Sequence, residues 1–207
     1  MIDRISIEKK LWSEGYQQIM GLDEVGRGCL AGPVVAAGVI FEPGTFIPEI
    51  RDSKKMKEAE RQELSTLIKQ KAKFWVIKEG STSEIERLNI LWASIATMQR
   101  CAEFGEPDFL LVDGNRYTSS LIPYHCIIKG DDKSMSIGAA SILAKVYRDE
   151  LMIGLHTDFP EFGWDSNVGY PTPKHKNALL QFGVTKHHRT SFKLGTTIPY
   201  KKASDRY

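Results

Sequence analysis

Three short apolar runs along the chain each stop at an acid. Ile19-Met20-Gly21-Leu22 leads into Asp23-Glu24, Phe109-Leu110-Leu111-Val112 into Asp113, and Cys126-Ile127-Ile128-Lys129-Gly130 into Asp131-Asp132. Apolar runs of this length bounded by turn residues predict buried strands. Strands are predicted over 16–22, Val34 to Phe41, Phe74 to Ile77, 108–112 and 125–129. Gly26, Gly28, Gly32 and Pro33 mark a tight turn between the first two strands, which are expected to pair as a hairpin.

Between the strands the spacing of apolar positions turns helical. Residues 1–15 predict a short polar helix, and a second near 57–72 carries Leu64, Leu67, Ile68 and Ala72 on one face. Ser83-Glu84-Ile85-Glu86 fits a capping box. The helix that follows, to about 103, sets Ile85, Leu88, Trp92, Ile95 and Ala102 near one stripe. Ser134 or Ser136 can cap a helix running to about 153, in which Gly138, Ala139, Ala140 and Ser141 permit close approach to a neighbour. Thr172 as N-cap, Pro173 at the first helical position and Gly183 past the end bound one more. The order β-β-(α)-β-α-β-β-α predicts an α/β fold, a mixed five-stranded sheet flanked by helices with a helical C-terminal extension. Residues 1–160 are expected to form the core and 161–207 a basic helical extension packed on it, within a single structural domain overall.

Charge sharpens the picture. The net charge is only +2, but residues 171–207 hold eight Lys and Arg against one acid, while the rest of the chain is net acidic. A basic end beside an acidic body fits a polyanion held near a metal site. The N-terminus has mixed charge and no apolar signal core, and Cys29, Cys101 and Cys126 have no metal spacing. A reducing, cytoplasmic location is expected, with no membrane association.

The acids carry the candidate chemistry. In an open α/β sheet, sites form at strand ends. Buried carboxylates repel one another unless a cation lies between them, and hard oxygen ligands suit magnesium or manganese. Asp23, Glu24, Asp113 and Asp131 supply a set able to hold two divalent ions. Adjacent residues on a regular strand point to opposite faces. Asp23 and Glu24 therefore share a site only if the strand ends or bulges there, which the Gly26 and Gly28 turn permits. Asp131 and Asp132 pose the same choice, which spacing leaves open, and Asp132 could instead cap the next helix.

Several segments together resemble a known family, ribonuclease HII (type 2 ribonuclease H). They are Gly21-Leu22-Asp23-Glu24-Val25-Gly26-Arg27-Gly28, Asp52-Ser53-Lys54, Val112-Asp113-Gly114-Asn115, Lys129-Gly130-Asp131, Ala139-Ala140-Ser141-Ile142-Leu143-Ala144-Lys145-Val146, Gly169-Tyr170-Pro171-Thr172 and His187-His188-Arg189-Thr190-Ser191-Phe192. They run in family order from about 16 to 192. The resemblance implies a ribonuclease H-like fold, hydrolysis of the RNA strand of RNA–DNA hybrids, and cleavage at single ribonucleotides embedded in duplex DNA. By the same resemblance the family's metal-binding acids fall on Asp23, Glu24, Asp113 and Asp131. The loop that reads the 2′-OH falls on Gly26-Arg27-Gly28, and the tyrosine that stacks near the RNA-to-DNA junction on Tyr170. The chain departs from many members at Asn167-Val168, where they have His-Lys.

Other residues are read from their chemistry. Lys54, Ser141 and Lys145 are candidates for phosphate contacts, which position a duplex without reading its sequence. His187-His188-Arg189 is read as structural or as backbone contacts, because soft imidazole suits a hard divalent ion poorly. The expected reaction uses water rather than a protein nucleophile and leaves 3′-hydroxyl and 5′-phosphate ends. A monomer is expected to carry it out.

Overall fold

The computed structural model describes residues 4–50, 53, 56–118 and 121–192. Helix α1 (Ser6–Ser13) precedes strands β1 (Ile19–Val25) and β2 (Val34–Ile40). Helix α2 (Glu58–Lys71), β3 (Phe74–Gly80) and α3 (Thr82–Gly105) follow, then β4 (Phe109–Asp113) and β5 (Tyr124–Ile127). The short α4 (Gly130–Lys133), long α5 (Met135–Asp158), short α6 (Trp164–Asn167) and α7 (Pro173–Phe182) complete the order. The strands form one mixed sheet in the order β3-β2-β1-β4-β5. β1 pairs antiparallel with β2 and parallel with β4, so the expected hairpin and mixed sheet are both present. Among the described residues no helix is long and apolar enough to cross a membrane.

The sheet is covered on both faces, which is why every residue of β2 is buried. Val35, Ala37 and Val39 meet Leu64 and Ile68 of α2 and Ala139 to Leu143 of α5. Ala36 and Ile40 face Ile95 and Met98 of α3. Gly21 sets the tightest crossing: a methyl there would fall 2.2 Å from the backbone carbonyl carbon of Ser136. β1 and the first turn of α5 thus touch backbone to backbone, as the small residues of that helix predict. A further cluster joins Leu30, Ala31 and Met152 to Phe162, Trp164, Ala178 and Leu179 of the C-terminal helical region.

Some boundaries differ from expectation. β1 runs on through Asp23 and Glu24 to Val25, still paired with β2 at Asp23–Ala37 and Glu24–Ala36. The capping box lies on Ser81 rather than Ser83, with Glu84 completing it. Helix α5 is capped by Ser134 and extends five residues past its expected end. Helix α3 breaks at Asn89, whose φ is 63°, and the Asn89 Oδ1 accepts the amides of Leu91 and Trp92 to start a second half-helix. That break shifts the phase of the apolar stripe. Ile85, Ile95 and Ala102 are buried as expected, but Trp92 is 51% exposed.

Candidate active site

Register places the first two acids together. The β1–β4 ladder ends at Leu22–Val112. One step further along each strand stand Asp23 and Asp113, at the point where the strands part. Because β1 continues as a regular strand, Asp23 and Glu24 point to opposite faces. Asp23 faces α5, where the Ser141 hydroxyl favours its ionised form. Glu24 lies toward α3 in an open cleft of about 320 Å³, lined also by Arg27, Ser94, Asp113, Asn115 and Arg116. Asp113 interacts electrostatically with both Asp23 and Glu24. The three acids therefore adjoin without the strand end or bulge that the alternation of a regular strand calls for.

Burial, reinforced by the charges of Glu24 and Asp113, holds the Asp23 carboxyl well above the usual carboxylate range. Burial also raises Glu24, where an ion pair with Arg27 at 3.0 Å opposes the shift. Asp113 accepts the Gly130 amide at 2.7 Å. That bond ties β4 to the turn carrying Asp131, which is 8% exposed. The neighbouring Asp132 is ion-paired with Arg4 at 3.5 Å and caps no helix. Among the described residues no three His, Cys, Asp or Glu side chains are placed to hold one metal ion. The acids are gathered but not closed on a point. Their donor set is nonetheless all carboxylate oxygen, with Asp23 and Asp131 buried and Asp23, Glu24 and Asp113 repelling one another, which fits a hard divalent cation.

A second group of residues borders the acids. The Gly26-Arg27-Gly28 turn needs a glycine at position 26, where φ is +92° and a methyl would fall 2.2 Å from Arg148 Nε. Two buried arginines brace this turn. Arg148 donates to the carbonyls of Pro33, Ala31 and Val168 at 2.8–3.0 Å. Arg189 donates to Gly32 at 2.8 and 2.9 Å and to the Arg27 carbonyl at 3.2 Å. Tyr170 is half-exposed, with its ring against Gly28.

A buried relay supports Tyr170 from behind. Trp164 Nε1 donates to His175 Nε2 at 3.2 Å, and the Thr185 amide donates to His188 Nδ1 at 2.9 Å. Those two bonds set the tautomers. His188 Nε2 donates to His175 Nε2 at 3.1 Å, and His175 Nδ1 donates to the Tyr170 carbonyl at 3.0 Å. Burial, with His175 and His187 nearby, pushes His188 down to about 3. Both rings are neutral and spent on hydrogen bonds, in keeping with the structural reading of His188. Asn167, at the departure from the family pattern, bonds the Phe162 carbonyl and the Gly169 amide.

The remaining predicted residues divide. Ser141 is buried, sharing a 3.0 Å hydrogen bond with Ser53 behind Asp23. Lys145 donates to Asp149 at 2.6 Å, and Arg61 lies 3.7 Å from the same carboxylate. Lys54 lies outside the described residues. Sequence reasoning missed Arg148, Arg116 and His175. Arg148 had a signal, since it follows Ser141 and Lys145 at helical spacing on one face of α5.

A mixed sheet in this strand order, with acids where β1 and β4 part and a long helix across them, defines the ribonuclease H-like class. A family model of ribonuclease HII matches residues 20–195. The ribonuclease HII of Salinibacter ruber is 49% identical over 196 residues, covering 92% of this chain and 98% of that one. The ribonuclease H2 from Pyrococcus horikoshii superposes with a TM-score of 0.74 at 22% identity, covering 86% of this chain and 94% of its own. An Archaeoglobus fulgidus ribonuclease HII, solved in complex with PCNA, also gives 0.74, at 23% identity with 92% and 100% covered. The chain belongs to the ribonuclease HII family. It is a metal-dependent endoribonuclease of the ribonuclease H type, acting on RNA–DNA hybrids.

Proposed function

We propose that this enzyme cleaves both RNA tracts in hybrids and single ribonucleotides embedded in duplex DNA, with two divalent ions, Mg2+ or Mn2+, held by Asp23, Glu24, Asp113 and Asp131. The observation that carries the reading is the placement of Asp23 and Asp113 one step past the last β1–β4 pair, with Glu24 over the adjoining cleft. When bound, the ions would supply positive charge to activate water and to stabilise the departing 3′-oxygen. The four carboxylates hold that charge, and Gly130 orients Asp113 through its amide. Ser141 orients Asp23, and Ser53 orients Ser141.

Recognition falls to the bordering group. Gly26-Arg27-Gly28 presents main chain to the sugar and reads the 2′-OH, the one handle that marks a ribonucleotide. Tyr170 supplies a stacking platform at the RNA-to-DNA junction, a contact worth about 1–3 kcal/mol in comparable systems. Lys145, Lys54 and Arg116 neutralise phosphates. In this reading residues 1–160 carry the chemistry, and the stretch 161–192 packs on that core while the basic residues of 161–207 grip the duplex; residues 193–207 lie outside the described residues. A cytoplasmic monomer is the working unit.

One cleavage assay tests the reading. It compares a DNA duplex holding a single ribonucleotide with a full RNA–DNA hybrid, each with Mg2+ or Mn2+. Both are expected to be cut, leaving 3′-hydroxyl and 5′-phosphate ends. An intact single-ribonucleotide duplex under conditions that degrade the hybrid would remove the embedded-ribonucleotide activity and the role given to Arg27.

A further inference from the structure

The first turn of α5 has its backbone amides satisfied from three directions. Met135 N–H donates to the Arg4 carbonyl at 2.8 Å, Ser136 N–H to Glu8 Oε1 at 3.0 Å, and Ile137 N–H to Ser134 Oγ at 3.2 Å. The Ser134 and Ser136 hydroxyls donate to the same Glu8 oxygen at 2.6 and 2.9 Å. Glu8 is 2% exposed, and its other oxygen, also buried, has no hydrogen-bond partner among the described residues. A buried carboxylate on α1 thus caps a 24-residue helix of another part of the chain.

The same segment reaches the turn before α5. The Arg4 guanidinium donates to the Asp132 carbonyl at 3.0 Å, to Asp132 Oδ1 at 3.5 Å and to the Ile50 carbonyl. Asp132 passes the constraint on by donating its amide to Asp131 Oδ1 at 3.1 Å. Helix α4 is a single turn entered through Lys129 in the left-handed region, with φ 56°, and one turn does not hold its own shape. On its inner side, a methyl at Gly138 would fall 3.0 Å from the Asp131 carbonyl oxygen, so the junction has no room to settle inward.

We propose that Arg4 and Glu8 are positioning residues for Asp131. They fix the α4–α5 junction from outside and thereby hold one carboxylate of the metal site in its binding orientation. The proposal rests on reading Asp131 as a metal ligand. Groups that orient a ligand from behind typically change metal affinity 10–100-fold when removed.

The test measures Mn2+ binding to the full chain by titration calorimetry without substrate, beside the Mn2+ dependence of hybrid cleavage. Arg4→Gln and Glu8→Gln are expected to weaken Mn2+ binding about tenfold and to raise the half-saturating Mn2+ by the same factor. At saturating Mn2+, kcat returns close to that of the parent enzyme. Arg4→Lys, which keeps the charge but not the fork, recovers part of the loss. Lys10→Ala on the exposed side of α1, where Lys10 pairs with Glu14 at 3.8 Å, is the control for loosening α1 alone and is expected to leave Mn2+ affinity unchanged. Should Arg4→Gln bind Mn2+ like the parent while Asp131→Asn loses affinity, the positioning role is overturned. Equal loss in Lys10→Ala overturns it too, by showing plain destabilisation. Unchanged binding in Asp131→Asn overturns instead the ligand assignment beneath it.

Discussion

A carboxylate buried beside two others is harder to ionise than one in water, and Asp23 is in that position. The folded chain therefore binds this proton more tightly than the unfolded chain. Metal-free stability falls as pH rises from about 4, the ordinary carboxylate value, through the raised native one. Asp23→Asn removes the charge. In melts with EDTA at pH 8 it is expected to raise Tm, by about 2–4 °C for each kcal/mol recovered, with the gain narrowing toward pH 4. A Tm at pH 8 equal to or below the parent value would contradict the repulsion argument. Asp113→Asn is expected to abolish cleavage while hybrid binding, followed by anisotropy, persists. Arg116 carries no hydrogen bond or ion pair among the described residues and lines the cleft beside Asp113. Arg116→Ala is expected to raise KM several-fold with little change in kcat, and to flatten the salt dependence of binding by about 0.9 in the log–log slope, one phosphate's share.

At the scale of elements, the Gly26 turn is braced by Arg148 and cannot accept a side chain. Gly26→Ala is expected to cost about 1–3 kcal/mol from its positive φ alone, read as a lower denaturation midpoint in urea, and to slow cleavage at a lone ribonucleotide. The break in α3 gives a contrasting pair. Asn89→Ala loses both the cap and the tolerance of positive φ, whereas Asn89→Gly keeps the latter and is expected to be the milder change. These two places also mark where the sequence was readable. Thr172, Pro173 and Gly183 bounded α7 correctly because capping is local chemistry. Asn89 hides its break inside a continuous apolar stripe, so spacing alone sets Trp92 near that stripe. Asp23 and Glu24 were legible as residues but not as an arrangement. Their sharing of Asp113 from opposite faces depends on β4 parting from β1, a tertiary event that no strand's own pattern records. Arg148 went unremarked because its partners are three carbonyls far away in the chain, which leave no trace in composition.

The whole molecule depends on a C-terminal region whose hydrogen bonds require two neutral histidines. His188 is pushed down to about 3 and His175 is lowered as well, both chiefly by burial. The unfolded chain takes up those protons near pH 6.5, so their contribution is complete above that value and is lost as pH falls toward 3. Hydrogen exchange at pH 5 is expected to show protection lost around Gly169 and Tyr170 before it is lost in β1 and β2. Simultaneous loss would show that the relay is not separately stable. The acids respond in the opposite sense, because there it is deprotonation without a cation that weakens the fold. With the ion held at these acids as proposed, that repulsion links activity to abundance. A copy that has bound its ion is both competent and firmly folded, while an empty copy opens more often and meets proteases more readily. A cell starved of divalent metal would accordingly lose the protein along with its activity, and its level in such a cell would follow metal supply without any dedicated regulator.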